Sequence, residues 1–235
     1  MTQKYTILFD LDGTLVDTAP DLMLAHNHVM KKYGYPTKST SDIRIMAGKG
    51  AGAMIGRSIW GQAKEEFGKI DDQKIKDEMV KEFINFYGKN ILNESKLIKG
   101  VKEFLLWCTK EKISMGVCTN KQEHLAIDLL KKIEIYDYFE YVAGHNTFEY
   151  RKPDPRHLTS VIEILNGDIK KSLMIGDSET DAIAAKEASI PIILLENGYT
   201  EKNTNEIYHD HLIKDFIGVE KIVSNYLKDW FNFFS

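Results

Sequence analysis

The 235-residue chain has two cysteines, Cys108 and Cys118. That is too few for a disulfide framework or a cysteine-based zinc site. Cys108 falls at an apolar helix position and Cys118 near a strand end, so both read as buried thiols. Excess basic charge is also missing. The net charge is −4, which gives no electrostatic ground for nucleic-acid binding. No apolar run approaches the length of a membrane span. Met1-Thr2-Gln3-Lys4 leads straight into a short apolar strand without an apolar targeting core, so the cytoplasm is the expected location. The seven histidines are scattered and show no HxxxH spacing. Internal repeats and low-complexity segments are absent. What is left, at 43% hydrophobic and 28% charged residues, is an ordinary globular composition for one large domain or two smaller ones.

The positive signal begins with Ile7-Leu8-Phe9-Asp10-Leu11-Asp12-Gly13-Thr14. Residues 5–9 form a nearly continuous apolar run, the pattern of a strand buried on both faces. Asp10 and Asp12 follow abruptly and, two residues apart on extended chain, point to one side. Gly13 permits a tight turn and close approach to a ligand. From about residue 17 to 92 the pattern is mostly helical, with helices expected near 20–33, 53–60 and 72–90 and a polar stretch at 37–42. On the long helix, Ile75, Met79, Phe83 and Phe86 share a face. Strands near 113–118, 138–142, 173–175 and 190–195 then alternate with helices. This order predicts a doubly wound, Rossmann-like parallel α/β core made of residues 1–16 and 93–235, interrupted by a helical insertion at 17–92.

In such sheets ligands bind beyond the carboxyl ends of the strands. There the sequence places Asp10 and Asp12, then Thr119-Asn120, then Gly176-Asp177-Ser178 with Asp181, while Arg151-Lys152-Pro153 precedes a helix. Each piece alone has an ordinary structural explanation. Asp-Gly is a turn, Thr119-Asn120 a helix cap, Lys152 a solvated lysine, and Asp181 a first-turn acid. Their joint placement points instead to one site. Several carboxylates with a lysine and a hydroxyl suit Mg²⁺-assisted phosphoryl transfer.

Asp10-Leu11-Asp12-Gly13-Thr14-Leu15, Thr119-Asn120, Lys152-Pro153 and Gly176-Asp177-Ser178-Glu179-Thr180-Asp181 together resemble the four motifs of the haloacid dehalogenase-like hydrolases. The insertion resembles the small α-helical cap domain of that superfamily. Gly48-Lys49-Gly50 through Arg57, Arg151 to Pro155, and Gly198-Tyr199 are similar to the phosphoglycolate phosphatase group. Ser189 departs from the pattern, since relatives usually carry glycine there. The resemblance implies an aspartyl-phosphate mechanism, with Asp10 as nucleophile and Asp12 as acid and base. It implies Mg²⁺ held by Asp10, the Asp12 carbonyl and Asp177, with Asp181 nearby or acting through water. Thr119, Asn120 and Lys152 would bind phosphoryl oxygens. Dehalogenase and phosphonate-cleaving relatives lack an acid at the position of Asp12, so its presence favours phosphate esters.

The expected activity is therefore hydrolysis of a small phosphorylated metabolite, foremost 2-phosphoglycolate, by a monomer or homodimer. A sugar-phosphate phosphatase, a phosphosugar mutase or a catalytically silent phosphate-binding regulator are the alternatives. Lys49 or Arg57 in the cap is expected to face the substrate and favour a carboxylate, the alternative being an ordinary surface ion pair. Gly48-Lys49-Gly50-Ala51-Gly52-Ala53 is not a Walker loop, and it lacks the βαβ continuation of a dinucleotide site. Trp60, Trp107 and Trp230 read as packing residues. The apolar Trp230-Phe231-Asn232-Phe233-Phe234 tail is expected to dock on the core or on another subunit.

Overall fold

The structure is a computed structural model that describes residues 4–61 and 70–232. In chain order it opens with β1 (Lys4–Phe9), β2 (Val16–Asp17), α1 (Ala19–Lys32), α2 (Thr40–Ala47), α3 (Ala51–Trp60) and α4 (Ile70–Lys89). There follow β3 (Lys96–Leu97), α5 (Val101–Lys110), β4 (Ser114–Cys118), α6 (Glu123–Lys132), β5 (Tyr141–Ala143) and α7 (Arg156–Ile164). The chain ends with β6 (Gly167–Gly176), α8 (Glu179–Glu187), β7 (Ile192–Leu195), β8 (His211–Ile213) and α9 (Val219–Asn232). The side chains of the tail at 230–234 lie outside the described residues, and so does the docking expected of them.

A six-stranded sheet has the order β5-β4-β1-β6-β7-β8, and every pairing in it is parallel. Ile7 and Phe9 sink into one core with residues of α5, α6 and α9, while Leu8 sinks into a second core with residues of α7 and α8. The alternation of strand side chains thus serves two apolar layers, which is why the β1 run has no polar face. The chain winds outward from β1 to β5 and then returns past β1 to β6. That reversal leaves a crevice at the carboxyl ends of β4, β1 and β6, where a doubly wound sheet binds its ligand.

Helices α1 to α4 pack on one another between β2 and β3. The buried line of α4 is Met79, Phe83 and Tyr87, four residues apart, whereas Ile75 is 41% exposed. Asp21 ties the start of α1 to the returning chain. Its buried carboxylate accepts the N–H groups of Asn93, Glu94 and Ser95 at 2.9–3.1 Å and the Ser95 hydroxyl at 2.6 Å.

Several elements differ from the sequence expectation. The polar stretch at 37–42 runs into α2, which starts at Thr40 behind a reciprocal Ser39–Asp42 capping box. β6 begins at Gly167, because pairing with β1 continues along its solvent-facing, polar first half. β5 starts at Tyr141, after a 3₁₀ turn at Tyr136–Tyr138. β8 buries only Ile213, so it carries no readable alternation. β2 and β3 form a two-residue antiparallel ribbon too short to leave a pattern. Among the described residues no helix is long and apolar enough to cross a membrane.

Ser189 sits just beyond α8 at φ 57°, in the left-handed region, where its N–H closes the helix onto the Lys186 carbonyl at 3.1 Å. That conformation favours glycine over serine at this place. Ser189→Gly is expected to raise the unfolding free energy by roughly 0.5–1 kcal/mol, the relief of backbone strain less the extra chain entropy of glycine. Urea denaturation checks this, with no gain expected for Ser189→Ala.

Candidate active site

The ends of three adjacent strands build the site. Asp10 follows β1, and its N–H is held by the Ile175 carbonyl of β6 at 3.0 Å. Thr119 follows β4, with its N–H on the Ala143 carbonyl of β5 at 2.9 Å. Asp177 follows β6 and is fully buried. Lys152 enters from the loop before α7, 2% exposed. Its Nζ lies 2.9 Å from Asp10 Oδ1 and 2.6 Å from Asp181 Oδ1.

Each acid is fixed by different chemistry. Asp181 is the third residue of α8, and its Oδ2 completes the helix cap by accepting from Ser178 N–H at 3.0 Å and Ser178 Oγ at 2.6 Å. Its Oδ1 receives Lys152, so both oxygens are engaged by protein donors. Asp177 accepts from Thr14 Oγ1 at 3.1 Å and from the Tyr199 N–H at 2.6 Å. Gly13, at φ 84°, lets the turn after β1 pass over this carboxylate; a Cβ there would overlap Asp177 Oδ2. Asp12 points elsewhere. Thr18 Oγ1 donates to it at 2.7 Å, and Lys121 Nζ lies 2.8 and 3.1 Å from its two oxygens.

Asp10, Asp177 and Asp181 bring carboxylate oxygens within 4.8 Å of one another, all buried. Burial pushes Asp10 up to about 6 despite Lys152, and Asp181 and Asp12 push the same way. Asp177 is raised well above the ordinary carboxylate range by burial, then by Asp10 and Asp181. Lys152 stays charged because the attraction of Asp10 and Asp181 outweighs its own desolvation. With all three carboxylates ionised, the one ammonium would leave about two negative charges uncompensated at low dielectric, a cost that the raised Asp10 and Asp177 express as a readiness to hold protons. An oxygen-only donor set with that deficit fits a hard divalent cation. Asp181 Oδ2 already accepts three protein donors, whereas each oxygen of Asp10 and Asp177 accepts at most one, so these two have the more lone pairs to offer it.

Thr119 Oγ1 accepts the Lys121 N–H at 3.2 Å and keeps its own proton for another acceptor. The Asn120 side chain instead donates to the Lys152 carbonyl at 3.1 Å, which positions the lysine loop. The N–H groups of Leu11, Asp12 and Asn120 have no acceptor among the described residues. An anion placed beside Asp10 would meet these donors, as phosphate does at backbone nests.

A cavity of about 140 Å³ opens from Asp10, Asp12 and Thr119 toward the helices, with Met54, Val80, Phe83 and Leu125 among its apolar walls. Lys49 and Arg57, the cap residues expected to face a substrate, do not line it. They line a separate small crevice against the loop after β7, where Arg57 pairs with Glu201. Lys121 and Tyr87 are among the lining residues that the sequence analysis did not single out. Lys121 is the next residue after Thr119-Asn120, which was its only signal. Tyr87 was hidden in an apolar helix stripe. Lys121 Nζ lies 2.8 Å from the Tyr87 hydroxyl.

Lys152→Met removes the only ammonium shown among these acids and is expected to destabilise the fold by about 3–5 kcal/mol at pH 7, as when one partner of a buried pair is lost. The deficit shrinks as the pH falls through 6, because Asp10, raised to about 6, takes up a proton in the folded state. Urea titrations at pH 7 and pH 5 read both effects.

A family profile described as haloacid dehalogenase-like hydrolase matches residues 7–195. Two curated relatives, both named phosphoglycolate phosphatase, come from Agrobacterium fabrum and Mesorhizobium japonicum. The first is 37% identical over 92% of this chain and 93% of its own length. The second is 36% identical over 89% of this chain and 90% of its own. A crystal structure described as a predicted phosphoglycolate phosphatase from Haemophilus somnus superposes with a TM-score of 0.85 at 29% identity, covering 94% of this chain and 99% of that one. A β-phosphoglucomutase from Clostridium difficile shares the fold, with a TM-score of 0.77 at 20% identity, covering 96% of this chain and 98% of its own. With its strand-end acids, buried lysine and matched relatives, the chain belongs to the haloacid dehalogenase-like hydrolase family.

Proposed function

We propose that the chain is a Mg²⁺-dependent phosphomonoesterase that hydrolyses a small anionic ester, foremost 2-phosphoglycolate, through a phosphorylated Asp10. The observation that carries this reading is the charge deficit of Asp10, Asp177 and Asp181 around Lys152 at the strand ends. The names of the curated relatives support the substrate, and the small cavity supports its size.

Asp10 attacks phosphorus, and the bond to the ester oxygen breaks with its electron pair leaving on that oxygen. Asp12 gives the departing alkoxide its proton. Water then attacks the same phosphorus and passes a proton to Asp12, and the bond from phosphorus to Asp10 breaks to release inorganic phosphate. Lys152, Thr119 and the N–H groups after β1 and β4 stabilise charge on the phosphoryl oxygens. Mg²⁺, held by Asp10, Asp177 and the Asp12 carbonyl, would supply charge neutralisation and polarise the phosphoryl group. Asp181 serves by holding Lys152 and reaches the metal at most through water. In this reading α1 to α4 act as a cap that shields the transfer from bulk water.

Phosphate release from 2-phosphoglycolate is expected with Mg²⁺ and not with excess chelator. Asp10→Asn is expected to reduce it roughly 10³-fold or more, as loss of a nucleophile does. Near-normal turnover by that variant would remove Asp10 from its role. An isomerised sugar phosphate in place of free phosphate would make the protein a mutase. No turnover across a broad panel of phosphoesters would leave a binding protein.

A further inference from the structure

Lys121 is a lysine whose side chain is 5% exposed, and it lies outside the Lys152 cluster. It lines the cavity together with Tyr87 of α4. Its Nζ contacts Asp12 at 2.8 Å and the Tyr87 hydroxyl at 2.8 Å, and lies 4.3 Å from the centre of the Tyr87 ring. The Tyr87 oxygen accepts from Lys121. Its own O–H proton has no acceptor among the described residues, although the residue is only 1% exposed. A buried phenol O–H of that kind ordinarily has a partner. Lysine or arginine is otherwise absent from the described lining of this cavity.

We propose that Lys121 and Tyr87 together receive the carboxylate of the substrate, so that a core residue and a helical-segment residue jointly set specificity. The inference rests on the phosphomonoesterase reading. In that reading the ester oxygen meets Asp12. Lys121 touches Asp12, so it stands beside whatever the leaving group carries next. In a glycolate ester a carboxylate follows the ester oxygen by one methylene, within reach of the ammonium. One carboxylate oxygen takes a charge-assisted bond from Lys121, whose ammonium gives up the longer of its two contacts with Asp12 for it, and the other takes the free Tyr87 proton. The apolar walls at Met54, Val80, Phe83 and Leu125 exclude water from that pair.

The test compares kcat/KM for 2-phosphoglycolate and ethyl phosphate, which differ in the carboxylate, in the wild type and in Lys121→Met, Lys121→Arg and Tyr87→Phe. Wild type is expected to prefer phosphoglycolate. Lys121→Met is expected to reduce that preference on the order of 10- to 100-fold, mainly through KM, in line with the loss of a charge-assisted hydrogen bond. Tyr87→Phe, which keeps the packed ring, is expected to reduce it roughly 5- to 10-fold, the scale of a neutral hydrogen bond. Lys121→Arg is expected to recover part of it. An equal fall on both esters in Lys121→Met and Tyr87→Phe overturns the inference, because the pair would then act only through Asp12. Equal wild-type rates on the two esters also overturn it while leaving the phosphatase reading intact. No turnover of either ester by wild type overturns both.

Discussion

Lys152 is buried between Asp10 and Asp181, and neither side of that contact is stable at this depth without the other. A lone ammonium or carboxylate in such a place loses several kcal/mol of hydration that only an opposite charge restores. The constraint runs outward from there. Asp181 must be held still, and the Ser178 cap at the start of α8 does so. The lysine loop must be held still, and Asn120 does so by donating to the Lys152 carbonyl. Asp177 then adds a further buried acid that Lys152 cannot balance. The fold maintains a pocket of negative charge that a dication or a protonation must complete.

That pocket is also tied to the helical segment. Tyr199 binds Asp177 through its N–H, and its hydroxyl donates to Asp17 at 2.7 Å and accepts from Ala19 N–H at 2.7 Å. Asp17 in turn pairs with Arg44 of α2 at 2.6 Å. One aromatic residue therefore connects a candidate metal ligand with the strand that leads into α1. Gly198, just before it, lies so close to the Asp177 carbonyl that a Cβ would overlap it. The loop after β7 thus braces the site and the entrance to the helices together, which keeps the geometry near Asp177 dependent on how the helical segment is seated.

Much of this was legible in the sequence because burial and charge conflict visibly there. Asp10, Thr119 and Asp177 stand at the ends of apolar runs, where no ordinary surface residue is needed, and the order of those runs gave the parallel sheet. Lys152 was legible only jointly with them, since a lysine in a loop normally signals solvent. Short elements were not legible: β2 with β3 and β8 bury too few side chains to leave a period. α2 was concealed because its stability starts from the local Ser39–Asp42 cap and buries only Ile43. Lys121 and Tyr87 were concealed for a different reason. Their importance lies in meeting across the cavity, a relation between two distant positions that neither local pattern carries.

The same meeting bears on which esters the site admits. Of the cap positions expected to select the substrate, Arg57 pairs with Glu201, and neither it nor Lys49 lines the cavity. What the helices present to the cavity is mostly apolar: Met54, Val80, Phe83 and Ile84. A sugar phosphate would bring several hydroxyls against those walls, and each hydroxyl left without a partner is penalised by about 1–3 kcal/mol. A short carboxylate ester brings one polar group, on the side where an ammonium and a phenol stand. Under the proposed reading, the apolar side chains of the helical segment would disfavour polyols, and Lys121 beside Asp12 would favour an ester whose second end is an anion.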